Sequence, residues 1–117
     1  MKQNYPVINI EANGCSLFQE GNLLTEIRWM DIQEIAAFKK DGFTYDLICL
    51  DFKLSDPDPK CEHHIVVHEE MAGWKELTGE LHRIFSNLDP GWWTKVAFPA
   101  FATNPTSVWQ RKDGAKE

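Results

Sequence analysis

No part of this sequence is basic enough to track a nucleic acid. The chain carries 12 Lys and Arg against 18 Asp and Glu, for a formal net charge of −6, and its basic residues cluster no further than pairs such as Lys39-Lys40. Attraction to a phosphate backbone depends on clustered Lys and Arg that release counterions, so nucleic acid is not the expected partner. Long apolar runs are also missing. The opening MKQNYPVINIEANG has no apolar core of the kind a signal peptide needs, and nothing approaches the about 20 apolar residues of a membrane-spanning helix. The expectation is a cytoplasmic protein with no membrane partner. Cysteine is sparse: Cys15, Cys49 and Cys61 are odd in number and lack paired metal spacing, which suits a reducing compartment and buried thiols. There is no glycine-rich phosphate loop and no nucleophile elbow around Ser16, Ser55, Ser86 or Ser107. Asn104-Pro105-Thr106 cannot be a glycosylation acceptor, because proline occupies its middle position.

What is present fits a single α+β domain over residues 1–117, with 43% hydrophobic and 26% charged residues. Residues 5–70 read as strands. YPVINIEANG is a β-branched run ending at Asn13-Gly14, a dipeptide suited to the positive φ of a tight hairpin turn. CSLFQEGN returns, and LLTEIRW alternates, placing Leu23, Thr25, Ile27 and Trp29 on the apolar side. DIQEIAAFKKDGFTYDLICLDFKL reads as two strands joined around Asp41-Gly42. The second is nearly continuous in apolar residues from Leu47 to Phe52 and is expected to be central in its sheet. SDPDPK is a loop, because proline removes ladder donors, and CEHHIVVHEE is a further strand.

The period changes after Glu70. Trp74, Leu77, Leu81, Ile84, Phe85 and Leu88 recur at spacings of three and four, predicting a helix of about four turns over 72–88, with Lys75, Glu76, Glu80 and Arg83 on its wet face. Residues 89–111 follow as a short helix plus an extended segment, with Asp89 as cap, Pro90 in the first helical position and TSVWQR as a last strand. Residues 112–117 form a tail.

Six or seven strands followed by one long amphipathic helix is the order of a pleckstrin-homology-like (PH-like) roll, a bent antiparallel sheet closed by its helix. IRWMDIQEIAAFKKD, residues 27–41, is similar to the motif in bacterial PH-like domains where a strand ends in Trp, Asp turns the chain and spaced isoleucines start the next strand. The chain therefore resembles an uncharacterised small bacterial family with a PH-like domain. In strand order the likeness covers residues 5–86; the aromatic-rich C-terminal extension departs from it. The resemblance implies a binding scaffold without shared chemistry. No phosphoinositide site carries over, since the first hairpin turn, EANGCS, has no basic residue.

Two constellations bear on chemistry. Cys61, His63, His64, His68, Glu69 and Glu70 lie close together, but Ile65-Val66-Val67 argues for a strand, where residues four apart stand about 13 Å apart and cannot share an ion. Cys61 and His63 remain a two-residue pair without the four ligands structural zinc requires; no metal or other cofactor is expected, nor a catalytic residue. The second is PGWWTKVAFPAFATNPTSVW, residues 90–109, which holds five large aromatics. Most are expected in the core, as with Trp109. Trp92 and Trp93 are about 100° apart on a helix, so both cannot face inward. A partner-binding patch of Trp92, Trp93, Lys95, Phe98 and Phe101 is the resulting candidate site. The leading expectation is a non-enzymatic interaction protein, an inhibitor or immunity-type protein or a homodimer. The alternative is a small-ligand binder or minor enzyme with a pocket between the sheet and the C-terminal segment.

Overall fold

The computed structural model describes residues 5–41, 46–55, 63–97 and 106–111, the side chains of 41, 46 and 97 excepted. The protein is α+β, and its strands form two antiparallel sheets. Strands β1 (Val7–Glu11), β2 (Gly14–Gln19) and β3 (Asn22–Arg28) make a three-stranded meander. A single 3-10 turn, Trp29–Asp31, leads into β4 (Ile32–Asp41). With β5 (Asp46–Leu54), β6 (His63–His68) and the C-terminal β7 (Thr106–Gln110), it builds a second sheet in the order β6-β5-β4-β7. Among the described residues two helices, α1 (Trp74–Ile84) and α2 (Trp92–Ala97), lie between β6 and β7 in sequence. No helix among the described residues is long and apolar enough to cross a membrane.

The apolar run of β5 occupies an inner position between β6 and β4, as its composition requires. Ile35, Phe52 and Ile65 align across three strands, and Ala37, Leu50 and Val67 form the next row. These rows join Ile8, Cys15, Leu17 and Ile27 of the first sheet and Trp74, Leu77 and Leu81 of α1 in one buried cluster.

Three local expectations are corrected. The first hairpin turns at Ala12-Asn13, since Glu11 pairs with Gly14, and Gly14 does not take positive φ. Its missing side chain serves a close approach instead: a Cβ there would collide with the Ile27 carbonyl oxygen of β3. Positive φ falls on the next hairpin, at Glu20 (53°) and Gly21 (82°), the pair a tight two-residue turn needs.

Leu23 does not share the inward side with Ile27. Leu17 pairs with Thr25 but Phe18 pairs with Leu23, so Leu24 is an extra residue in β3, and parity flips beyond it. Leu23 consequently lies across from Phe18 and is 51% exposed.

α1 is shorter than the span 72–88. The backbone N–H of Ile8 donates to Ala72 O at 2.8 Å, which commits Ala72 to the edge of β1, and Gly73 follows at φ 94°. At the other end Phe85 leaves helical geometry (φ −101°, ψ 83°) before Ser86 and Asn87, residues whose side chains compete with helical bonding. Phe85 and Leu88 are still buried, reaching the core from the turn rather than from the helix face. The loop expectation for SDPDPK and the 112–117 tail fall outside the described residues, apart from Ser55.

Candidate functional site

Of the five residues expected to form a partner site, Phe98 and Phe101 lie outside the described residues. The other three sit on α2, which starts two residues later than a Pro90 first position would give. The carboxylate of Asp89 accepts the Gly91 N–H at 2.9 Å, and Trp92 N–H donates to Asp89 O at 3.2 Å, so Asp89 organises a turn ahead of the helix. Lys95 Nζ donates to the same carboxylate at 2.6 Å. The Lys95 bond first, then the Gly91 N–H, hold the Asp89 carboxyl below its usual range. Lys95 thus braces α2 through an exposed pair, an interaction of small stabilising value.

Adjacent tryptophans take opposite roles. Trp92 is buried, meets Trp74 edge-on at 6.4 Å, and donates its indole N–H to His82 Nε2 at 3.2 Å. Trp93 points away and is 43% exposed, with its ring 5.9 Å from that of Trp92. Trp93 forms one wall of an open groove of 430 Å³, together with Glu69, Met71, Trp74, Lys75 and Glu76. Glu69 is fixed there: its N–H donates to Ile48 O at 3.0 Å and its carboxylate accepts Ile48 N–H at 2.8 Å. The groove is therefore lined by two indoles, the exposed one of Trp93 and the buried one of Trp74, with two carboxylates and one ammonium.

A second cleft, also of 430 Å³, opens beyond the C-terminal end of α1. Trp29, Phe85 and Trp109 form its aromatic wall, with Trp29 and Phe85 edge-on at 6.2 Å and Phe85 and Trp109 at 4.5 Å. Arg111 lies over the Trp109 ring, 5.2 Å from its centroid. Among the described residues the buried indole N–H of Trp29 has no hydrogen-bond partner, a condition that costs about 1–3 kcal/mol. From sequence Trp29, Phe85 and Trp109 were legible only as apolar or core positions, and Arg111 only as part of a last strand, because three separate segments meet here. The pairing of β7 with β4, which sets Trp109 opposite Ile35, creates the cleft.

The histidines do not converge. His64 Nδ1 lies 3.0 Å from Asp51 carboxylate oxygens, His68 packs edge-on against Tyr5 at 4.3 Å, and His82 serves Trp92. Among the described residues no three His, Cys, Asp or Glu are placed to hold a metal ion, and Cys61 lies outside them. Cys15 and Cys49 are buried; burial first, then the Glu11 charge, pushes the Cys15 thiol up to about 12. No family model, no curated protein and no solved structure matches this chain.

Proposed function

We propose that this chain is a non-enzymatic cytoplasmic interaction module, of PH-like roll architecture, that docks a basic protein through the Trp93 groove. The observation that carries this reading is the exposed indole of Trp93 against the buried pair Trp92 and Trp74. A rigidly backed aromatic at the surface has the character of a binding hot spot. The two carboxylates at the groove, Glu69 and Glu76, and the net charge of −6 favour a Lys- or Arg-rich partner and speed its encounter. An inhibitor or immunity-type protein that covers a basic functional surface is the sharpest form of the proposal; a homodimer built on the same groove is the competing form.

The test is affinity capture of the tagged chain with the wild type and Trp93→Ala, alongside sedimentation analysis of both. A stoichiometric basic partner, bound roughly 30-fold more weakly by Trp93→Ala and weakened by added salt, supports the proposal. Wild-type dimers that Trp93→Ala dissociates would replace the basic partner with self-association. A partner retained in full by Trp93→Ala would remove the groove from the interface.

A further inference from the structure

We propose that the cleft of Trp29, Phe85, Trp109 and Arg111 is a binding site for a small aromatic carboxylate. It lies at the opposite end of α1 from the Trp93 groove and stands or falls without it.

The inference begins with Arg111. Its backbone N–H donates to Gln33 O at 2.8 Å, its Nε to Ile32 O at 2.9 Å and one Nη to Trp29 O at 3.2 Å, while the guanidinium lies over the Trp109 ring. The side chain is thereby held in one place before any ligand arrives. Among the described residues no carboxylate pairs with it, although acidic side chains outnumber basic ones in the chain by 18 to 12. A guanidinium has five N–H donors in a planar fork, and its two side-chain bonds to carbonyl oxygens leave the remainder for a carboxylate, which matches the fork with two parallel acceptors.

The body of the ligand follows from the walls. The edge-on series Trp29, Phe85, Trp109 offers ring faces and edges, and Met30, 70% exposed at the mouth, adds a flexible apolar flank. A volume of 430 Å³ falls within the range of small-molecule sites. A multiply charged phosphate would meet a single guanidinium and mostly apolar walls, so a singly charged acid with one or two rings is the better complement. The Trp29 indole N–H, closed to solvent and without an acceptor among the described residues, adds a donor that a modest shift of Trp29 or Met30 would open to a ligand oxygen.

The experiment titrates the full chain with phenylacetate and indoleacetate, with the neutral amide of each, and with acetate, following the indole N–H resonances by NMR. Saturable shifts at Trp29 and Trp109 are expected for the two acids, with affinity at least about tenfold weaker for the amides and no saturation by acetate. Arg111→Lys keeps the charge but loses the fork, and is expected to bind the acids about tenfold more weakly. Because Arg111 also anchors Ile32 and Trp29, Met30→Glu is the second variant: its exposed position leaves the fold intact, and its charge should weaken acid binding roughly fivefold while leaving the amides unchanged. Absence of saturation by both acids, equal affinity for acid and amide, insensitivity to Met30→Glu, or shifts at Trp93 instead of Trp29 and Trp109 would overturn the site.

Discussion

The indole N–H of Trp92 donates to Nε2 of His82 across 3.2 Å, tying α2 to the last turns of α1. Indole nitrogen can only donate, so Nε2 is the acceptor and the proton of the neutral imidazole sits on Nδ1. The bond orients the buried ring that backs Trp93, and so connects packing on α1 to the presentation of an exposed aromatic on α2.

His82→Ala should therefore destabilise the protein by about 1 kcal/mol, the low end for an unmade bond, because water can reach this partly buried donor. Trp92→Ala, which also empties a core position, should cost about 3–5 kcal/mol. Urea unfolding of both variants beside Trp93→Ala checks the order. A Trp93→Ala loss as large as that of Trp92→Ala would mean that Trp93 is core rather than surface.

Glycine positions separate by mechanism. At Gly14 a Cβ would strike the Ile27 carbonyl oxygen and stand 2.9 Å from Arg28 Cα, both backbone atoms of the paired strand β3. At Gly73 it would strike the Ile8 carbonyl oxygen, with a left-handed φ of 94° added. At Gly21, φ is 82° but no atom of the described residues lies within 4 Å of an added Cβ. Alanine at Gly14 or Gly73 should cost at least about 3 kcal/mol, against about 1 kcal/mol at Gly21. Thermal or urea midpoints that placed Gly21→Ala lowest would show that conformational strain, not close approach, governs these sites.

Local pattern made much of the scaffold legible. The apolar run of β5 announced an inner strand, and the three-four spacing of Trp74, Leu77 and Leu81 announced the buried face of α1. Adjacent Trp92 and Trp93 had to diverge, and they do. What failed was parity and reach. The extra residue at Leu24 turned Leu23 outward, and no feature of LLTEIRW marks a bulge. Gly14 looked like a turn glycine because Asn13 precedes it, while its reason lies across the sheet at Ile27. The second cleft was invisible for the same cause: Arg111 reaches Trp29 across 82 positions of sequence through the β4–β7 pairing, a relation no window of neighbours contains.

Thiol reactivity follows from burial. The thiolate is the nucleophile, and burial pushes the Cys15 thiol up to about 12. At Cys49 burial again raises the value, outweighing the opposing pull of Lys40. Iodoacetamide at about pH 7 should leave both unmodified in the folded protein and alkylate both in denaturant. Peptide mapping by mass spectrometry resolves them from Cys61. Rapid alkylation of native Cys15 would contradict its place in the buried core.

His68 gives the fold a dependence on acidity. Its ring is half-buried against Tyr5, and its Nδ1 accepts the Glu70 N–H at 3.2 Å, an acceptor role that only the neutral ring can fill. Loss of hydration lowers its pKa below the ordinary 6.5, and Lys40 adds to this, against the opposing charges of Glu70 and Glu69. The unfolded chain therefore takes up this proton more readily than the folded one. Its contribution is undiminished above the unfolded value of 6.5, declines as pH falls through 6.5, and levels once the pH is below the folded value. Urea midpoints measured from about pH 7.5 down to about pH 5 should fall, and His68→Phe, which keeps a ring against Tyr5, should flatten part of that fall. An unchanged slope in His68→Phe would move the acid sensitivity to other groups and leave His68 as a packing residue only.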